Sequence, residues 1–383
     1  LQQESTMTQM DDYLRSVFKG QRIVIADCTR FADLHFFDTD GYRPYRVLAP
    51  SIGNGFGGYL VGFSRYLDRS DIENMARRLH RSAHALNTLG FMTGYGGLYA
   101  VAGNLRRLGY STDPALDQLL DALPVKVWIS NSVERRGLWR TLDFFDGLAG
   151  YCFGVASFGT AHQITQQRPT FEFFADLLQG AMDRRSVYDT PTPGFSHGFT
   201  GYAHALLAIY AATSDSRFRD LADIFRQEAH RGFGLTRRAD GTVEVAPAEA
   251  QVYSMFCNGH VGLALHEGYR HSILGDGQPV RCAPLSHLLL DTTYCHGTPS
   301  LLAALATGWL VTDDPDLRRS VEDAHHRNLD DLYANKRTLL ANLTWNYGAL
   351  GLFSESKDFD GVSLTQVLNG KLDARQPNLK SVA

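Results

Sequence analysis

Two kinds of helical pattern alternate along this chain. In the first, apolar residues fall on a single stripe. Across Asp71 to Leu86 the apolar positions Ile72, Met75, Ala76, Leu79, Ala83 and Leu86 are spaced i, i+3, i+4, i+7, i+11 and i+14, the repeat of one helix face. Phe218, Leu221, Ala222 and Phe225 form another such stripe, and Asp314-Pro315 offers an N-cap followed by proline at a first helical position. In the second kind there is almost no polar face: Tyr202 to Tyr210 and Leu301 to Trp309 are apolar nearly all round. A helix of that kind is buried on every side, and the one-striped helices cover it. The alternation therefore predicts an all-α fold in two layers.

A glycine pattern introduces each apolar run. G-x-x-G occurs at Gly55–Gly58, Gly94–Gly97, Gly147–Gly150, Gly198–Gly201 and Gly259–Gly262. A sixth copy, Gly297–Ser300, ends in serine, and a seventh is Gly348–Gly351. Successive first glycines lie 39, 53, 51, 61, 38 and 51 residues apart, room for two helices and their loops in each unit. With 36 glycines in the chain, chance produces some matches. Chance does not follow each match with an apolar helix and separate the matches by amphipathic ones. Seven copies predict an α/α toroid, or barrel, of seven inner and seven outer helices with short β insertions. The glycines would open the inner helices at one rim, where neighbouring helix ends approach closely and their N-termini make the rim partly positive. Arg22 to Ala26 reads as a short strand, and Leu235 to Pro247, centred on Asp240-Gly241, as a hairpin before the fifth inner helix.

The residues just before each first glycine face that rim. They are Gly53-Asn54, Met92-Thr93 and Asn346-Tyr347 in copies one, two and seven. Copy three has Asp146, with Asp143 three residues earlier; copy four has Ser196-His197, copy five Cys257-Asn258, and copy six Cys295-His296. Reactive side chains thus fall in four consecutive copies, on one side of the mouth. Cys257, Cys295 and His296 form a candidate zinc site, since two thiolates, one imidazole and an open fourth position suit a catalytic Zn2+. The 38 residues between the cysteines say little alone, but the repeat puts both at equivalent places on adjacent inner helices. The competing account is a buried thiol and a satisfied core histidine. His260, three residues after Cys257, is a reserve acid or a fourth ligand. His204, on an apolar helix, reads as core.

Composition narrows the classes. Hydrophobic residues make up 44% and charged residues 20%, the balance of a soluble globular protein. A formal charge of −4 argues against a general nucleic-acid binder, which needs a basic face. No apolar run approaches the roughly 18 residues of a membrane helix, and the polar start, Leu1 to Asp12, is not a signal peptide. Five widely spaced cysteines argue against a disulfide framework and for a reducing, cytoplasmic setting. Cys28, Cys152 and Cys282 read as small buried hydrophobes.

Three motifs now carry a resemblance: Ser196-His197-Gly198-Phe199-Thr200-Gly201, Phe256-Cys257-Asn258-Gly259 and Tyr294-Cys295-His296-Gly297. With the seven-fold glycine repeat, they make the chain resemble the lanthionine synthetase C-like family from about residue 50 to 360. The resemblance implies a toroid cyclase domain over residues 46–383, with residues 1–45 as a lead-in or a junction to an upstream domain. It implies zinc on Cys257, Cys295 and His296, proton transfer by His197, and a catalytic role for Asp143. Asp146 stands where a second acid is common in that family. Asn258 departs from the family, which often has tyrosine or histidine beside this cysteine. Tyr253 stands near where some members carry a catalytic arginine.

The implied reaction is Michael addition of peptide cysteine thiols to dehydroalanine or dehydrobutyrine, giving thioether rings in a ribosomal precursor peptide. The implied partners are the dehydrated precursor and a kinase, lyase or dehydratase, separate or fused. Two other readings stay open: a zinc-holding, non-catalytic peptide scaffold for a modification complex, and an α/α-toroid glycosidase, which needs two carboxylates across the mouth.

Overall fold

The computed structural model describes residues 24–27, 32–38, 41–47, 50–53, 55–62, 64, 67–84, 86–110, 114–184, 191–237, 243–244, 256–277, 280–281 and 364–372. The sixth and seventh glycine copies lie outside these residues, and with them Cys295, His296, the run Leu301–Trp309 and Asp314-Pro315. Cys28 and Cys282 lie outside as well.

The fold is predominantly α-helical. Five inner helices each begin at the residue after the first glycine of a copy: α1 (Phe56–Gly62), α3 (Tyr95–Arg107), α7 (Leu148–Phe158), α10 (Phe199–Thr213) and α12 (His260–Leu274). They pack in chain order, α1 on α3, α3 on α7, α7 on α10 and α10 on α12. Between them run α2 (Arg69–Ala83), α4 (Pro114–Asp121), α5 (Val125–Arg136), α6 (Leu138–Leu142), α8 (Ala161–Gln166), α9 (Arg168–Arg184) and α11 (Ser216–Gly232). The inner helices are buried along nearly their whole length, as apolar all-round sequences require. The outer ones bury one stripe, Ile72, Met75, Ala76, Leu79 and Ala83 on α2 and Phe218, Leu221, Ala222, Phe225 and Ala229 on α11. Leu86, the end of the α2 stripe in the sequence, is buried but lies past the helix terminus.

Close approach explains the second glycine in copies two to five. A Cβ at Gly97, Gly150, Gly201 or Gly262 would overlap the carbonyl oxygen of Phe91, Phe144, Phe195 or Phe256, respectively. Each of those phenylalanines sits three residues before its copy's first glycine. Their rings contact one another in order, with centroids 5.6 Å apart for Phe91–Phe144, 4.9 Å for Phe144–Phe195 and 4.8 Å for Phe195–Phe256. This aromatic column packs the core just beneath the rim. Aromatic pairs at such distances add about 0.5–1.5 kcal/mol beyond the area they bury.

The β segments are small. β1 (Val24–Asp27), β2 (Ala32–Asp38) and β3 (Gly41–Val47) form an antiparallel meander. The sequence pattern showed only the first of these strands, and β3 runs through residue 45. β4 (Thr236–Arg237) and β5 (Val243–Glu244) make the expected hairpin, which β6 (Val280–Arg281) joins in parallel. A C-terminal turn of helix, α13 (Leu364–Leu368), reaches the core: Leu368 O accepts a 2.7 Å hydrogen bond from His204 Nε2. His204 is core, as its apolar helix indicates, and burial pushes its imidazole down to about 3. No described helix is long and apolar enough to cross a membrane.

Candidate active site

The turns that precede the inner helices are joined by a belt of backbone hydrogen bonds. Gly53 N donates to Met92 O (2.7 Å), Met92 N to Phe145 O (3.2 Å), Phe145 N to Ser196 O (3.1 Å) and Ser196 N to Cys257 O (2.8 Å). All five residues stand two places before the first glycine of their copy. The belt therefore fixes the register of the five described copies against one another, and it seats Cys257 beside the turn that carries His197.

Asp143 ends α6 and is 1% exposed. Its Oδ1 accepts from the Asp146 backbone N–H at 2.7 Å, and its Oδ2 lies 2.8 Å from His197 Nδ1. Burial pushes the Asp143 carboxyl above the usual carboxylate range, and the hydrogen bond and charge of His197 oppose that shift. The His197 side chain itself is 42% exposed. The carboxylate thus holds one ring nitrogen from below and leaves Nε2 for whatever enters the mouth. The Phe145 ring lies 5.6 Å from the imidazole and limits its tilt.

Asp146 is turned toward copy two. Thr93 Oγ1 donates to its Oδ1, and Thr93 is in turn 3.0 Å from Thr88 Oγ1. Asp143 and Asp146 share one turn, so they do not face each other across the mouth as a glycosidase pair would. Asn258 is exposed at the rim, and its Oδ1 lies 3.5 Å from Thr192 Oγ1. Cys257 is 6% exposed and is disulfide-bonded. The odd cysteine count did not suggest that bridge. Cys152 is buried and free, as read from the sequence. His260 opens α12 and is fully buried, beneath the rim rather than on it. Among the described residues no three metal-capable side chains cluster. Two of the three expected zinc ligands, Cys295 and His296, lie outside them.

Two rim residues, Thr192 and Phe145, are not indicated by the sequence, which puts Thr93 on the rim without indicating a role for it. A signal existed for Thr192. Threonine recurs six places before the first glycine in copies two, three and four, as Thr88, Thr141 and Thr192.

The lanthionine synthetase C-like protein family model matches residues 59–265. That is more than half of the chain, and the chain belongs to this family. Among solved structures a nisin cyclase is similar at a TM-score of 0.43 and 14% identity, over 68% of this chain and 74% of that one. No curated protein matches.

Proposed function

We propose that the chain is a zinc-dependent peptide cyclase that joins cysteine thiols to dehydroalanine or dehydrobutyrine in a dehydrated precursor peptide. The observation that carries this reading is the belt. Ser196 N–H on Cys257 O ties the backbone of Cys257, a candidate metal ligand, to the turn that carries His197, a part-exposed histidine whose Nδ1 is held by a buried carboxylate. Cys295 stands at the same register position in copy six as Cys257 in copy five. His296 follows Cys295 directly in the sequence. Soft sulfur donors and an imidazole suit zinc, and Cys257, once reduced, fits that donor set.

Cys257, Cys295 and His296 would hold the ion, and when bound it would supply activation of the substrate thiol as a thiolate. The remaining work falls to the chain. The sulfur forms a bond to the β-carbon, and the π electrons of the alkene move to the α-carbon and its carbonyl. A proton must then reach the α-carbon. His197 Nε2 would take up the proton that the substrate thiol gives up and pass it to the α-carbon, the ring being a cation in between with Nδ1–H still on Asp143. The part-exposed side chain is open to such a substrate. Asp143 keeps Nδ1–H pinned and so fixes the tautomer and the direction of Nε2, a positioning role. Asp146 and Asn258 border the same opening. The precursor arrives already dehydrated, from a separate or fused kinase–lyase or dehydratase.

Zinc quantification on the reduced wild type and on Cys257→Ala and Cys295→Ala proteins tests the metal assignment. One zinc per wild-type chain, lost in both variants, is expected. A Cys295→Ala protein that keeps both zinc and cyclisation would overturn it.

A further inference from the structure

In copies two, three and four the residue four places before the first glycine faces the next copy's rim residue. Gly90 abuts the backbone of Phe145 and Asp146, Asp143 reaches His197, and Gly194 abuts the backbone of Cys257 and Asn258. In copy three a carboxylate uses this place to hold the histidine. In copy four nothing larger than hydrogen fits. A Cβ at Gly194 would stand 2.7 Å from Cys257 O and closer still to Asn258 Cα. Both are main-chain atoms, so no side-chain rotation relieves the overlap. Two residues on, Ser196 N makes its 2.8 Å bond to Cys257 O. Thr192, at the start of the same turn, shares its hydroxyl between His197 O (3.4 Å) and Asn258 Oδ1 (3.5 Å).

We propose that Gly194 is a positioning residue for the Cys257 turn. Its missing side chain lets the His197 turn seat flush against Cys257-Asn258, and Thr192 ties the two turns a second time. The spacing between the sulfur of Cys257 and the imidazole of His197 is set there, by backbone contact. This inference rests on the proposed function insofar as Cys257 is a metal ligand and His197 carries the proton. The contact itself is independent of that reading.

The test uses the full, reduced chain as wild type, Gly194→Ala, Gly90→Ala, Thr192→Val and Thr192→Ser. Two readouts are taken: zinc affinity by chelator competition, and amide hydrogen exchange of the peptide carrying Ser196. Gly194→Ala is expected to lower zinc affinity about 10–100-fold, the range for disturbing groups that orient metal ligands, and to speed exchange at Ser196. Gly90→Ala inserts the same kind of clash one pair of turns away. It is expected to speed exchange around Phe145 and leave zinc affinity unchanged. If Gly194→Ala does not fold, Thr192→Val should speed exchange at Ser196 and Thr192→Ser should restore it. Wild-type affinity and exchange in Gly194→Ala would overturn the proposal. So would an equal loss of affinity in Gly90→Ala, or identical behaviour of Thr192→Val and Thr192→Ser where Gly194→Ala does not fold. A wild type that binds no zinc would remove the proposed function, and the exchange readout would then decide this inference alone.

Discussion

Replacing Glu267 by glutamine removes the negative charge at the crossing of α11 and α12. Glu267 is 1% exposed, and both its oxygens are engaged by Arg226, Nε at 2.6 Å and an NH2 group at 2.8 Å. His230 Nε2 adds a third contact at 2.8 Å. Burial alone would raise this carboxyl, but the hydrogen bonds from His230 and Arg226 outweigh it and hold the carboxyl at about 2, against an ordinary 4.5. At about 1.4 kcal/mol per pH unit that depression corresponds to about 3 kcal/mol of stability. The sign follows from which state takes the proton first. Above 4.5 the carboxyl is ionised folded and unfolded, and the full contribution is present. As pH falls from 4.5 toward 2 the unfolded chain binds a proton that the folded one refuses, and the contribution disappears. Glu267→Gln should therefore cost about 3 kcal/mol at neutral pH, the low end for stranding one partner of a buried pair, since Arg226 keeps 14% exposure. Denaturant unfolding of both proteins from pH 7 down to the lowest pH at which they stay folded would show a gap that narrows below pH 4.5. A gap under about 1 kcal/mol at pH 7, or one that stays constant down to pH 3, would refute the reasoning.

Three further outcomes follow from the same structure. Asp143→Asn should slow cyclisation about 10²–10⁴-fold, by analogy with other carboxylate-oriented histidines, yet raise stability at neutral pH. The folded Asp143 carboxyl lies above its unfolded value, so its contribution is full at low pH and lost as pH rises through the folded value; single-turnover rates and thermal melts at two pH values check both halves. Phe195→Ala removes a fully buried ring that touches Phe144, Phe256 and His204, and should cost about 3–5 kcal/mol in urea unfolding. His204→Gln keeps a donor for Leu368 O but no titrating group. Because burial holds His204 at about 3, against 6.5 when unfolded, wild-type stability should fall between pH 6.5 and 3 more steeply than that of the variant.

The glycine repeat was legible because its cause is local. At Gly94, Gly147 and Gly198 a Cβ would strike the carbonyl oxygen of the threonine six residues earlier, and the apolar run after each has no polar face to offer solvent. The belt was legible only as register. Main-chain bonds such as Ser196 N to Cys257 O leave no mark in side-chain identity, although equal distance from the glycine names their partners. The phenylalanines Phe91, Phe144, Phe195 and Phe256 recur at a constant offset, but a buried aromatic side chain carries no mark of which ring it will meet, so their stacking into one column appears only in the packing. Contacts that depend on two helices crossing were not visible. Glu267 is 41 residues from Arg226 and 37 from His230, and only the packing of α11 on the inner row brings them together. The meander β1–β3 was missed because β2 and β3 mix charged, aromatic and proline residues without clean alternation. Thr93 on Asp146 joins two copies through space, and neither residue type alone points to the other.

Turnover at the Cys257–His197 mouth is the central property proposed for this chain. Its most direct measurement is incubation of reduced, zinc-loaded protein with a dehydrated peptide that retains its cysteines. Thioether formation leaves the peptide mass unchanged, so the remaining thiols are counted by alkylation and mass spectrometry. Loss of free thiols with the wild type, at a rate far above the uncatalysed one and abolished in Cys257→Ala, is the predicted result. Thiols that survive as long with the wild type as with buffer would contradict the claim and leave a peptide-holding scaffold in its place.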